Sequence, residues 1–269
     1  MIIRTLMLVG LALALSSCAF PVEGKFIGSP LGGARDPRQT ILIIFNHGFS
    51  SETAGQYTAV LPPILEAARD RNPDVVVFSQ VRNTSRLDAI HHASYIEAAI
   101  EQFTTRERVP MENIILAGQS CGGWGSLQAA AFTYPRIGGV MVFAPTCHGR
   151  LPHSADTQTR RAREIAQLTS RVRFPAVIFL YEGDSYYQLA DWDGFDAVAG
   201  PLSPALRVER LSRETVMRVC EQRCDRDSHG AVWGQQFAPA YYQTHLQPLI
   251  DRVRAGIRAR AAGTATPSP

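Results

Sequence analysis

The segment best equipped for chemistry in these 269 residues is Gly118-Gln119-Ser120-Cys121-Gly122, a serine centred between two glycines. A serine hydroxyl is a weak nucleophile until a neighbouring base takes its proton, and it must stand clear of its own backbone to attack. The G-x-S-x-G spacing meets the second need by turning the chain sharply from a strand into a helix, with the serine at the tip. Side chains two residues to either side would collide in so tight a turn, so glycine occupies both places. The surroundings agree with that geometry. Asn113 to Ala117 reads as a strand, and Gly123-Trp124-Gly125-Ser126-Leu127-Gln128-Ala129 continues as a helix of small residues.

The elements that must position this serine are alternating strands and helices. Five continuous apolar runs, Ile41 to Phe45, Val75 to Phe78, Ile114 to Ala117, Val140 to Phe143 and Ala176 to Leu180, are strands buried on both faces. Leu206 to Leu211 alternates apolar and charged residues and reads as a sheet-edge strand. Helical spacing covers Ala54 to Arg71 (broken or restarted at Pro62-Pro63), Leu87 to Arg108, Cys121 to Thr133, Ala162 to Val172 and Tyr241 to Ala262. This is the pattern of an α/β protein with a mostly parallel sheet covered by helices on both faces. Hydrophobic content of 45% and charged content of 19% suit an ordinary globular domain. The formal net charge of +3 is scattered, with no basic stripe interleaved with aromatics, so nucleic acid is excluded as a partner. The cluster Arg252, Arg254, Arg258 and Arg260 reads as a solvated helix face.

Taken together, the strand–elbow–helix unit and the strand order resemble the α/β-hydrolase fold, within it the dienelactone-hydrolase-like and esterase branch, over residues 41–262. The resemblance implies a site. Asn46-His47-Gly48-Phe49, directly after a buried strand, is similar to the turn that supplies half of the family's oxyanion hole, so the backbone N–H groups of Phe49 and Cys121 would face the developing oxyanion. His47 would then be structural. The acid follows a later strand, which selects Asp184 in Glu182-Gly183-Asp184-Ser185-Tyr186 over Glu182, Asp191 and Asp193. The base comes late, on a loop, which selects His229 in Asp227-Ser228-His229-Gly230; His245 falls in the last helix, and His91, His92, His148 and His153 precede the acid. Ser120, Asp184, His229 is the chain order expected of this fold. Dienelactone hydrolases proper carry cysteine at the elbow centre, whereas here cysteine comes one residue later. That points away from dienelactone itself as substrate.

The first seventeen residues read as a signal peptide: Arg4, an apolar run from Leu6 to Leu15, and small residues before Cys18. The run is too short to span a bilayer. Leu15-Ser16-Ser17-Cys18 resembles the lipobox of bacterial lipoproteins, which implies lipidation of Cys18 and a membrane-anchored protein of the cell envelope; Ala19 implies sorting to the outer membrane. Residues 18–40, rich in Gly and Pro, read as a tether and entry loop, and residues 263–269 as a disordered tail. Of the five cysteines, Cys18 taken by lipid leaves Cys121, Cys147, Cys220 and Cys224, for which three pairings exist. Cys220 with Cys224 is the most economical, and whether Cys121 and Cys147 pair stays open. A zinc site using Cys220, Cys224 and His229 is the alternative, but no recognised ligand spacing is complete, so neither metal nor cofactor is expected.

The expected activity is serine-dependent cleavage of a carboxylic ester on a small-molecule substrate. Gly118-Gln119-Ser120-Cys121-Gly122-Gly123 also resembles the elbow of prolyl-oligopeptidase-type peptidases, though with no gating domain beside it. A catalytically silent surface binding module on a hydrolase scaffold is the third reading, and it would ordinarily show a broken triad. His148 to Val172 is long enough for a cap over the site. Trp124, Tyr186, Tyr187 and Trp192 could line a pocket or simply pack.

Overall fold

The computed structural model describes residues 22–31, 36–49, 57–81 and 89–263. The signal segment, Cys18 and the tail after Gly263 lie outside them. Seven strands form one sheet: β1 (Glu23–Phe26), β2 (Ile41–Asn46), β3 (Val75–Val81), β4 (Ile114–Gln119), β5 (Gly139–Phe143), β6 (Ala176–Tyr181) and β7 (Leu206–Leu211). Their order is β1-β3-β2-β4-β5-β6-β7, with every pair parallel except β1 on β3. The five apolar runs are the five interior strands, and all their residues are buried, as helices on both faces require. Strand β7 is the far edge, with Arg207 and Arg210 exposed and Glu209 partly buried.

Eight helices accompany the sheet among the described residues: α1 (Pro63–Arg71), α2 (Ala89–Thr105), α3 (Cys121–Gln128), α4 (Ala155–Thr169), α5 (Phe195–Ala199), α6 (Arg213–Cys220), α7 (Phe237–Tyr241) and α8 (Gln247–Ala261). Helix α8 buries Leu249, Ile250, Val253 and Ile257, one stripe at helical spacing, and leaves Arg252 and Arg258 in solvent. None of the described helices is long and apolar enough to cross a membrane.

Three elements differ from the sequence expectation. Residues 23–26, expected within a tether, form strand β1, which pairs Glu23 with Val81 and Phe26 with Phe78. Helix α1 begins at Pro63, the expected restart, because a proline lacks the N–H that an interior turn needs and is tolerated in the first turn; residues 57–62, expected within a helix, are not helical. Helix α4 starts at Ala155, seven residues before the apolar spacing suggests, since Ser154 Oγ accepts from the Thr157 N–H at 3.2 Å and caps it.

Residues 148–172, long enough for a cap, lie in the crossover from β5 to β6. They are held down by Ile165, Leu168 and a buried arginine. Arg161 is 2% exposed, and a guanidinium so placed must find partners to offset the water it loses. It donates to Asp191 at 3.0 Å, Thr146 Oγ1 at 2.8 Å and His148 Nδ1 at 3.3 Å, and lies over the rings of Trp124 and Tyr187. Because a guanidinium can only donate, His148 Nδ1 must be the bare nitrogen, and Nε2–H donates to Glu164 at 2.9 Å. Burial first, and the Arg161 charge after it, hold the His148 imidazole below the ordinary histidine value against the pull of Glu164. Trp124, Tyr187 and Trp192, offered above as pocket lining, are almost entirely buried in this cluster. They pack the core.

Candidate active site

Parallel strands deliver their loops to one end of the sheet, and the carboxyl ends of β2, β4 and β6 carry His47-Gly48-Phe49, Ser120 and Asp184 respectively. Ser120 sits between β4 and α3 at φ 57°, ψ −125°, a left-handed region that a side-chain-bearing residue enters only at a cost of about 1–3 kcal/mol. Its backbone is held there from three sides. The Ser120 N–H donates to Phe143 O at 3.0 Å, while its carbonyl accepts from Trp124 at 2.9 Å and Thr146 at 3.3 Å. The flanking glycines are obligatory. A Cβ on Gly118 would stand 2.5 Å from the Gly122 carbonyl, and one on Gly122 would stand 2.0 Å from the Asn46 carbonyl oxygen. A Cβ on Gly48 would meet that of Ser120 at 2.8 Å, so the turn after β2 lies directly against the elbow.

Cys121, the first residue of α3, is bonded to Cys147 in the loop after β5, with Cα atoms 4.5 Å apart. Its backbone N–H has no carbonyl four residues back to pair with inside the helix. Phe49 is partly buried on the facing turn.

Asp184 and His229 meet: Nδ1 of His229 lies 2.7 Å from Asp184 Oδ2. Asp184 is 6% exposed, and burial raises its carboxyl above the ordinary carboxylate value, opposed by hydrogen bonds from His229 and from the Tyr186 N–H at 2.8 Å. The rival acids are engaged elsewhere. Glu182 accepts from the Arg213 N–H at 2.7 Å, Asp191 pairs with Arg161, and Asp193 is exposed beyond a short helical turn. The rival histidines are too. His245 Nε2 lies 3.0 Å from Glu209 on β7, His153 Nε2 lies 3.0 Å from Gly149 O, and His47 stacks on Tyr57. The side chains of His91 and His92 lie outside the described residues.

Several residues that sequence reasoning passed over hold this pair in place. Gln119, the unspecified position of the elbow motif, donates from Nε2 to the His229 carbonyl at 3.1 Å and so ties the base-bearing loop to the serine turn. The loop is also laced to the acid turn: the Ser228 N–H donates to Gly183 O at 3.1 Å and Ser228 Oγ to Glu182 O at 2.6 Å. Arg213 reaches Ser228 Oγ and the Asp225 carbonyl, each at 2.7 Å. Tyr186 lies against the His229 ring at 4.2 Å between centroids, and the Arg150 guanidinium lies over the Tyr186 ring at 4.9 Å. Of the aromatic residues proposed from sequence, Tyr186 is the one at the site. Cys220 and Cys224 are joined in a disulfide, Cα atoms 5.7 Å apart, just before this loop. Bonded to each other, the two sulfurs offer no thiolate to a metal ion. Among the described residues no group of three or more His, Cys, Asp or Glu side chains is arranged to hold a metal ion.

A buried serine on a strained turn, tied through Gln119 to the loop that carries a carboxylate-bound imidazole, is an arrangement able to activate a hydroxyl for attack on an acyl carbon. No protein family's sequence profile matches the chain, and no curated protein matches it at a significant level. Solved structures do. A monoacylglycerol lipase of Paleococcus ferrophilus has a TM-score of 0.57 at 9% identity, covering 87% of this chain and 100% of the other. An esterase of Pyrococcus furiosus has 0.54 at 12% identity, covering 86% of each chain. A butyrate-bound esterase of Thermogutta terrifontis has 0.50 at 12% identity, covering 93% of this chain and 92% of the other. At these identities the likeness is one of architecture, and the chain has the α/β-hydrolase fold.

Proposed function

We propose that this chain is a serine hydrolase that cleaves a carboxylic ester through an acyl-enzyme intermediate, with Ser120 as nucleophile, His229 as base and Asp184 as the residue that orients it. The observation that carries this reading is Ser120 held at positive φ on the β4–α3 elbow, next to a loop whose histidine is bound to a buried carboxylate. With Nδ1–H donated to Asp184, Nε2 is the free base. It takes the Ser120 proton as Oγ attacks the ester carbon, then returns it to the departing alkoxide. Water completes the cycle through the same nitrogen. The backbone N–H groups of Cys121 and Phe49 supply the oxyanion hole, where loss of one donor typically costs about 2.7–4 kcal/mol. An ester is the substrate favoured because the matching structures include esterases and a lipase. Labelling with a fluorophosphonate and mapping the adduct tests the nucleophile. Ser120→Ala should abolish labelling and lower kcat on p-nitrophenyl esters by roughly 10⁴ to 10⁶. Labelling that survives in Ser120→Ala, or faster turnover of aminoacyl anilides than of esters, would overturn the reading.

The sequence before Val22 supports export and lipidation at Cys18, and hence a membrane-anchored protein of the cell envelope. Metabolic labelling with palmitate should follow the wild-type chain and vanish in Cys18→Ala. Label retained in that variant would refute the anchor.

A further inference from the structure

Between the acid turn and the base loop stands a second carboxylate. Asp227 Oδ1 accepts from the His229 N–H at 2.9 Å and from the Ser185 N–H at 3.1 Å, and its Oδ2 accepts from Ser185 Oγ. One side chain thus joins the backbone of His229 to the residue after Asp184, which lies 42 positions before Asp227. Each of its hydrogen-bond partners is a donor and the exposed Arg150 guanidinium lies 3.8 Å away, while the Asp184 carboxylate is near enough to repel it. A carboxylate offers acceptors alone, whereas an amide would turn an NH₂ toward one of those donors. The chemistry of the position therefore calls for aspartate, ionised. Although burial raises its carboxyl, the hydrogen bonds from Ser185 and His229 outweigh it and leave the group below the ordinary carboxylate value.

We infer that Asp227 is a positioning residue of the proposed reaction: it fixes the His229 ring against Asp184, and its negative charge stabilises the imidazolium formed at each proton transfer. The inference rests on the serine-hydrolase reading. Two carboxylates then serve one base, Asp184 through the ring and Asp227 through the backbone. The groups that face the pair are few enough to name. Asp184 and Tyr186 come from the turn after β6, Arg150 from the loop after β5, and Arg213 from the start of α6 at Ser228. Arg150 is two-thirds exposed, so water screens its charge far more than that of Asp227.

The experiment compares wild type with Asp227→Asn and Asp227→Glu on one activated ester, with active sites counted by fluorophosphonate titration. Asp227→Asn preserves size and loses charge and one acceptor. It should lower kcat per titrated site by roughly 10- to 100-fold, the scale of an ångström-level misplacement, with KM within about threefold of wild type. The acid limb of its kcat/KM profile should move to lower pH, because the imidazolium has lost an anionic neighbour. Asp227→Glu keeps the charge and should restore the acid limb even if kcat stays reduced. If Asp227→Asn only lowers Tm, with kcat per site and the acid limb those of wild type, Asp227 is a structural clamp and the inference fails. Absence of Ser120 labelling in the wild-type chain would instead sink the hydrolase reading itself, so the two failures are distinguishable.

Discussion

Replacing Gly122 by alanine adds a single methyl group, and the structure says where it goes: 2.0 Å from the carbonyl oxygen of Asn46 and 2.5 Å from that of His47. An ordinary contact at this position begins near 3.4 Å, so about 1.4 Å of relief is needed. The strand cannot supply it. Asn46 lies in β2 between β3 and β4, paired in register with Gln80 on one side and Gly118 on the other. The amino end of α3 must yield instead, and it is pinned through Cys121 to Cys147. Movement of an ångström there would draw the Cys121 N–H away from the proposed oxyanion position, a loss of about 2.7–4 kcal/mol of transition-state stabilisation, or roughly 10²- to 10³-fold in kcat. The overpacking itself should destabilise the fold by about 1–3 kcal/mol. The assay is the turnover of an activated aryl ester per folded molecule, with folding followed by circular dichroism melts. Gly256→Ala on α8 is the control. Its Cβ would meet only the end of the Arg260 side chain, at 3.3 Å, and the change should leave turnover alone while stabilising by up to about 1 kcal/mol. A folded Gly122→Ala protein with turnover within twofold of wild type would show that α3 does not carry the oxyanion donor, and the argument would fall.

Removing both Cys121 and Cys147 should cost about 3.5 kcal/mol, the chain-entropy value for a 26-residue separation, with turnover reduced by less than about tenfold because the backbone donor remains; a stability loss below about 1 kcal/mol by urea unfolding would refute it. His229→Ala should lose far more activity than His245→Ala, whose imidazole is engaged with Glu209; the opposite ranking in ester assays would exclude His229 as base. Burial lowers both His148 and His245 relative to the unfolded chain, so between their folded and unfolded values the unfolded state holds more protons. Their contribution is complete above the unfolded value of about 6.5 and is lost as pH falls below it, by at most about 1.4 kcal/mol per pH unit for each group. Unfolding free energies at pH 7.5 and 5.5 should therefore diverge less in His148→Gln than in wild type, and an unchanged difference would show that His148 is not held neutral.

The interior of the sheet was legible because burial on both faces writes continuous apolar runs, and the β7 edge because a partly exposed strand admits charged residues among apolar ones. Strand β1 left no such mark: Glu23-Gly24-Lys25-Phe26 is polar, four residues long, and extended only because the edge of β3 offers it donors and acceptors. The early start of α4 was hidden for a related reason, since its first two turns face solvent and only the Ser154 cap announces them. In the site, glycine constraints on either side of Ser120 are local and could be read, as could a histidine followed by glycine. The Cys121–Cys147 bond, the Gln119 anchor and the burial of Arg161 depend on which loops meet at the carboxyl end of the sheet, and spacing along the chain does not encode that. Asp227 carried one readable signal. An aspartate two residues before His229 can accept from that residue's N–H, an Asx turn that fixes the loop locally.

The direction of the short edge strand has a consequence for how the molecule faces its surroundings. Glu23 lies opposite Val81, the last residue of β3, so the chain ahead of Val22 departs from the carboxyl end of the parallel strands, the end that bears Ser120 and Asp184. Had β1 run parallel to its neighbour, that departure would be from the opposite pole. Three residues, four Cα-to-Cα steps, separate Cys18 from Val22, a reach of at most about 14 Å. Were Cys18 lipidated as proposed, its anchor would be leashed to the same pole of the sheet as Ser120 and Asp184, which would turn that pole toward the bilayer.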